Sequence, residues 1–284
     1  MQDHAKVQKA IEFIRNAVPE ISRDRLGTGV VLGSGLGDWE PNWEEIARIS
    51  YIDIPDFPRS TVPGHDGELV FGRAVDSGRR LVCLMKGRFH LYEGYTPAES
   101  CQGVRLMAGL GMRTLVLTNA AGALNPLFST GNVMVITDHI NLTGASPLTG
   151  PNIDAWGPRF PDMSRVYCPR LAGLALKTGT ELGLRLEQGV YVGVPGPALE
   201  TPAETRTYRR LGGDAIGMST VLEAICAHHM RVGVLGLSCL TNKNLPDCMT
   251  ETSLEEILEQ AGRASKNLGR IVNGFLRKID HPEV

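Results

Sequence analysis

The chain has 284 residues, 42% of them hydrophobic and 21% charged, ordinary globular proportions that exclude disordered, collagen-like and mucin-like classes. Twenty-nine Lys and Arg stand against 31 Asp and Glu, a formal net charge of −2 without a long run of one sign, which argues against a nucleic-acid or anionic-membrane partner. No apolar stretch is long enough to span a bilayer.

From Met1 to Val18 charges alternate with apolar residues at helical spacing, clearest from Lys6 to Val18, where a signal peptide would have an apolar core. The expected compartment is the cytoplasm. Short apolar runs then recur at Gly29–Leu32, Leu69–Val75, Leu81–Lys86, Thr114–Asn119, Val133–Asp138, Gly189–Val194 and Val232–Ser238. Helical spacing marks Ala98–Leu110, Arg170–Leu182, Ala203–Leu211, Val221–His229 and Leu254–Leu276. Strands alternating with helices predict an open α/β sheet in a single domain, residues 1–284. Asp76-Ser77-Gly78 between two of the runs signals a hairpin, so the sheet is expected to be mixed. The Pro- and Gly-rich segment Ser146–Pro161 reads as a long functional loop.

In an α/β sheet ligands gather at strand ends, which makes the residues just beyond each apolar run the candidates for chemistry. Gly33-Ser34-Gly35-Leu36-Gly37 follows the first run: a glycine turn whose backbone N–H groups and Ser34 hydroxyl suit an anion. Alone it reads equally well as a tight turn, and its spacing is not the G-x-G-x-x-G of dinucleotide sites. Arg88 and His90, two apart on an extended segment, point the same way and can grip one anion, with Glu93 expected to hold His90 protonated. His65, after Gly64, and Ser219, after Gly217, offer further anion contacts. Glu200, behind Pro195-Gly196-Pro197, and Asn242, which carries both donor and acceptor, suit the edge of a flat heterocycle. Cys83, Cys101, Cys168, Cys226, Cys239 and Cys248 lack the spacing of zinc sites and read as small core fillers. His228 and His229 beside Cys226 do not make a metal site, because neighbouring residues on a helix do not share a face.

From about Val30 to the C-terminus, seven segments in order resemble the trimeric purine nucleoside phosphorylases: Gly33–Gly37, Phe57–His65, Gly87–His90, Asn119–Gly122, Asp138–Asn141, Gly217–Ser219 and Thr241–Lys243. The resemblance implies an α/β fold with a mixed, partly barrel-like central sheet flanked by helices. It also implies reversible phosphorolysis of 6-oxopurine nucleosides such as inosine and guanosine, giving free base and ribose 1-phosphate, in a homotrimer. Phosphate is then a co-substrate, and no metal or organic cofactor takes part. Carried over segment by segment, Ser34, His65, Arg88, His90, the Ala120 backbone and Ser219 would hold phosphate. Tyr92 and Met218 would lie against the ribose, with Phe160 supplied by a neighbouring subunit. The purine would meet Glu200, Asn242, Leu199 and Ile216. Glu200, Asn242 and His90 are the residues expected to carry catalysis. Asn242 would accept from N7–H of the departing base and donate to O6, while Glu200 accepts from N1–H.

Many relatives have an aromatic residue where this chain has Leu199, a histidine reaching the ribose 5′-hydroxyl where it has Leu254, and an apolar residue where it has Asn244. The sister methylthioadenosine phosphorylases have aspartate in place of Asn242 and no counterpart of Glu200, so both positions speak against that activity. A nicotinamide-dependent oxidoreductase would also have a glycine turn after its first strand, but at a different spacing.

Overall fold

The structure, a computed structural model, describes residues 2–33, 39, 41–61, 66–74, 80–249 and 254–279. Two helices open the chain, α1 (Gln2–Ala17) and α2 (Glu20–Arg23), followed by strands β1 (Thr28–Leu32), β2 (Trp43–Ser50), β3 (Glu68–Ala74) and β4 (Leu81–Lys86). Helices α3 (Pro97–Ser100) and α4 (Gln102–Gly109) precede β5 (Thr114–Ala123) and β6 (Val133–Asn141). Then come α5 (Pro169–Glu181), β7 (Leu186–Gly193), α6 (Pro202–Arg210), β8 (Ala215–Gly217), α7 (Val221–His229), β9 (Gly233–Lys243) and α8 (Leu254–Lys278). No helix among the described residues is long and apolar enough to cross a membrane.

The nine strands form one mixed sheet in the order β2-β3-β4-β1-β5-β8-β7-β6-β9, and β9 pairs back onto β5. Strands β5, β8, β7, β6 and β9 therefore close into a ring, and β1, β4, β3 and β2 extend from it as an arm. The closed, barrel-like sheet flanked by helices is what the resemblance implies, and it corrects the open sheet read from the alternation of strands and helices, because β9 pairs back onto β5. Its burial pattern explains the apolar runs: β1 and β4 are buried on both faces and read as continuous Val, Leu and Met. On β1, Val31 packs into the core that contains Ile11 and Ile14 of α1 and Leu106 of α4. Its neighbours Val30 and Leu32 face the opposite core, which contains Leu171 of α5 and Ile271, Val272 and Phe275 of α8.

Several elements differ from the expectation. Strand β2 carries Glu44, Glu45 and Arg48 on an edge and is only half-buried, so it has no apolar run to betray it. Strand β8 is three residues long, too short for a periodic signal. The helix expected at Ala98–Leu110 breaks at Cys101, which leaves helical geometry at φ −99° and ψ 3°. Strands β3 and β4 are antiparallel as expected, whereas Val75 and the hairpin residues Asp76, Ser77 and Gly78 lie outside the described residues.

The largest difference concerns the site. Strands β5 and β9 do not end with their apolar runs but continue through Asn119–Ala123 and Thr241–Lys243, with Gly122 opposite Asn242 across a register shift. Residues expected on loops beyond the sheet thus sit on paired strands, whose ladder fixes their positions.

Candidate functional site

The sheet ring and its flanking segments enclose a cavity of about 530 Å³, within the size range of small-molecule sites. Arg88, His90, Tyr92, Ala120, Leu199, Glu200, Ile216, Met218, Ser219 and Asn242 all line it. These ten residues come from separate segments of the sequence. Ser34 and His65 lie outside the described residues, as does most of the glycine turn. Its first residue, Gly33, is held by its N–H donating to Thr118 Oγ1 at 3.2 Å, and a Cβ there would stand 2.8 Å from the Thr118 carbonyl oxygen.

Arg88 follows β4 and is 1% exposed. Its guanidinium makes an ion pair with Glu223 of α7, Nη2 to Oε2 at 3.0 Å, and donates to the Thr118 carbonyl at 2.7 Å and to Ser219 Oγ at 3.1 Å. Glu223 itself is buried, and its Oε2 accepts from the Thr220 N–H at 3.0 Å. The arrangement turns the start of α7 into a clamp: Glu223 balances the charge of Arg88 and fixes its plane, and Arg88 fixes the Ser219 hydroxyl. Thr220, between them, is held at φ +69°, a conformation that costs a β-branched residue free energy and is maintained by its surroundings. Asn119 Nδ2 donates to Thr220 Oγ1 at 2.8 Å and supplies part of that restraint.

His90 faces the same cavity, and its ring stacks on Tyr92 at 4.5 Å between centroids and 15° between planes. Its Nδ1 lies 2.8 Å from Glu93 Oε1, which also accepts from the His90 backbone N–H at 2.8 Å. Burial by itself would raise the Glu93 carboxyl, but hydrogen bonds from His90 and Thr61 outweigh it and hold the group at about 2. The contact expected between His90 and Glu93 is present, but its expected consequence is not. Burial lowers the His90 imidazole below its ordinary value despite the carboxylate, so the ring is neutral at neutral pH and Glu93 orients it without charging it. With the Nδ1 proton assigned to Glu93, Nε2 is an acceptor.

The other wall carries amides and a carboxylate. Thr241 Oγ1 donates to Asn242 Oδ1 at 3.0 Å, Asn242 Nδ2 to Asn244 Oδ1 at 2.6 Å, and Asn244 Nδ2 to Glu200 Oε2 at 2.7 Å. Burial raises the Glu200 carboxyl above its ordinary value, partly offset by the Asn244 hydrogen bond. Leu199 is half-exposed at 49% and contributes a flat apolar edge without an aromatic ring.

Phe160 is not part of this cavity. It is 87% exposed, on a loop that its neighbours hold firmly: Arg105 donates to the Pro147 carbonyl at 2.8 Å, Arg159 to those of Leu148 and Gly150, and His228 and His229 contact the Asp162 and Pro158 carbonyls. The adjacent histidines therefore serve as loop anchors. Among the described residues no three His, Cys, Asp or Glu side chains gather as metal ligands.

Sequence reasoning missed Glu223, Thr220 and the bridging role of Asn244. Thr220-x-x-Glu223 carries the signature of a helix start, but its pairing with Arg88, 135 residues away, leaves no trace in local spacing.

Residues 28–277 match the family model described as the phosphorylase superfamily. The chain is 43% identical over 273 residues to purine nucleoside phosphorylase 1 of Geobacillus stearothermophilus, covering 96% of this chain and 97% of that protein. It is 44% identical over 265 residues to the purine nucleoside phosphorylase of Bos taurus, covering 91% of each. In structure it resembles the crystal structure of Schistosoma mansoni purine nucleoside phosphorylase in complex with adenosine, with a TM-score of 0.88 at 33% identity over 97% of this chain and 98% of the other. These matches leave no room for a nicotinamide-dependent oxidoreductase. The chain belongs to the phosphorylase superfamily, among the purine nucleoside phosphorylases.

Proposed function

We infer that the protein cleaves 6-oxopurine nucleosides, inosine and guanosine foremost, by phosphorolysis to free base and pentose 1-phosphate. The observation that carries this reading is a single cavity lined both by an anion clamp (Arg88, His90, Ser219) and by a purine-edge pair (Glu200, Asn242). A phosphate oxygen bonds to C1′ of the sugar as the bond from C1′ to N9 breaks, and the bonding electrons leave with the purine. Positive charge develops on the ribose and negative charge on the base, so the site needs an anion beneath the sugar and hydrogen-bonding groups around the base.

Arg88 supplies charge-assisted donors to phosphate, and Ser219 and the Ala120 backbone add further contacts. Neutral His90 is matched to hydrogen phosphate, whose P–OH can donate to Nε2. Ser34 and His65 complete this set by resemblance. Tyr92 and Met218 form the ribose wall, and Ile216 and Leu199 pack on the base. Glu200 accepts from N1–H, and Asn242 Oδ1 accepts from N7–H as charge builds on the leaving group.

The exposure of Phe160 on a pinned loop supports a homotrimer in which it closes the neighbour's ribose site. We read residues 1–284 as one nucleoside phosphorylase domain, using phosphate as co-substrate without a cofactor. Its six unpaired cysteines, four of them buried, fit a reducing compartment such as the cytoplasm. The test is a panel of inosine, guanosine, xanthosine, deoxyinosine and adenosine, incubated with and without phosphate in the presence of a chelator. Base release from inosine and guanosine only with phosphate supports the reading. Release without phosphate, or loss of activity to the chelator, overturns it.

A further inference from the structure

Asn242 lies near the end of β9 and Asn244 one residue beyond it, where its N–H still donates to the Ala123 carbonyl of β5 at 2.8 Å; two apart on extended backbone, their side chains share a face, and both line the cavity. Asn244 is buried, at 6% exposure, and bridges the other two polar groups of that wall: its Nδ2 donates to Glu200 Oε2 at 2.7 Å and its Oδ1 accepts from Asn242 Nδ2 at 2.6 Å. The chain of hydrogen bonds has a fixed direction. An ionised carboxylate only accepts, so Asn244 must turn its nitrogen towards Glu200 and its oxygen towards Asn242. Asn242 must then present its nitrogen to Asn244 and leave its oxygen for Thr241 Oγ1 on the other side. Reversing either amide would bring oxygen against oxygen, or nitrogen against nitrogen, at hydrogen-bonding distance.

Room for the bridge comes from Gly122 of β5, directly opposite Asn242 in the ladder. A Cβ on Gly122 would stand 2.7 Å from Asn244 Nδ2, 3.0 Å from its Cγ and 3.4 Å from Asn242 Nδ2. The missing side chain on one strand thus makes the space that two amides fill on the next.

We propose that Asn244 reads the substituent at purine position 6 and, through its fixed orientation, commits the site to 6-oxopurines. The proposal rests on the assignment of Glu200 to N1 and Asn242 to N7 given above. On the purine edge C6 and the ring-fusion carbon C5 lie between N1 and N7, and of the two only C6 carries a substituent. The side chain bridging Glu200 and Asn242 faces that atom's substituent. Asn242 Nδ2 spends one hydrogen on Asn244, and Asn244 Nδ2 spends one on Glu200; of the second hydrogens, that of Asn244, midway between the two groups, is the one set towards O6. A 6-amino group places a donor against that donor. Asn244 can accommodate it only by reversing, which sets its oxygen against Glu200 and its nitrogen against Asn242. Discrimination at position 6 is therefore separate from discrimination at N1.

Purine riboside and adenosine separate the two effects, because both present a bare N1 and differ only in the 6-amino group. The experiment measures kcat/KM for purine riboside, adenosine and inosine, together with phosphate saturation, in wild type, Asn244→Val and Asn244→Asp. Wild type is expected to favour purine riboside over adenosine by about tenfold or more, the scale of one mismatched polar contact. In Asn244→Val the preference should fall close to parity, and in Asn244→Asp, which accepts from an amine, it should fall further or reverse. Phosphate saturation should stay as in wild type in whichever variant is folded. An unchanged ratio of purine riboside to adenosine in a folded variant with normal phosphate saturation overturns the proposal while leaving phosphorolysis intact. Should neither variant fold, a wild-type enzyme without preference for purine riboside overturns it equally. Wild type without any phosphate-dependent cleavage of inosine overturns the functional reading and this inference together.

Discussion

Arg88 is bound on one side to buried Glu223 and faces the cavity on the other, so replacing it perturbs folding and phosphate binding at once. In Arg88→Met the Glu223 carboxylate stays buried without its counter-charge, a loss typically worth about 3–5 kcal/mol of stability. A fall in activity there says little about phosphate. The double variant Arg88→Met/Glu223→Gln removes both charges, keeps an oxygen to accept from the Thr220 N–H, and should recover most of the lost stability. What it cannot recover is the charge-assisted contact to phosphate, worth about 1.5–3 kcal/mol, or roughly ten- to a hundred-fold in efficiency towards phosphate. Urea unfolding midpoints measure the first effect, and initial rates over a phosphate series at saturating inosine measure the second. The reasoning is refuted by a double variant that unfolds like wild type and saturates with phosphate like wild type. It is refuted equally if the double variant is no more stable than Arg88→Met.

Three further outcomes are expected. Asn242→Asp places an acceptor 2.6 Å from Asn244 Oδ1, which favours reversal of Asn244 and protonation of Glu200; the inosine-to-adenosine ratio of kcat/KM should drop more than about tenfold, and an unmoved ratio would remove Asn242 from the base site. Glu200 must be ionised to accept N1–H, and burial raises its pKa, so inosine cleavage should decline as pH falls through a value above the ordinary 4.5 of a glutamate; this acid limb should vanish in Glu200→Gln, and its persistence there would assign it to another group. Phe160→Ala, at an exposed position, should leave the unfolding midpoint unchanged but raise KM for inosine in an assembly that sediments as a trimer; an unchanged KM, or full activity in a monomer, would refute the shared site.

Legibility in the sequence followed burial. Strands β1 and β4, covered on both faces, announced themselves as apolar runs, and α7 was read with its observed limits because it packs on the core over its whole length. Strand β2 stayed hidden because an edge strand with half its surface in water keeps charged residues. The ring closure of β9 onto β5 is a contact between segments more than a hundred residues apart, and no local period encodes it. At the site, Arg88 beside Gly87 and Glu200 behind Pro195-Gly196-Pro197 are marked by their neighbours, and His90 and Asn242 by side-chain chemistry alone; the resemblance of seven segments in order is what makes them candidates. The protonation state of His90 was misjudged because the sequence shows the neighbouring carboxylate but not the burial that outweighs it. Glu223 and Asn244 act through partners that only the folded chain brings near, and their side chains look ordinary until Arg88 and Glu200 stand beside them.

The central claim is transfer of the sugar to phosphate, and isotope labelling tests it most directly. Inosine is incubated with the purified protein and phosphate labelled with oxygen-18, and the sugar product is analysed by mass spectrometry. Phosphorolysis gives one ribose 1-phosphate for each hypoxanthine released, with labelled oxygen bridging C1′ and phosphorus. Free ribose without label, formed at the same rate as hypoxanthine, would contradict it.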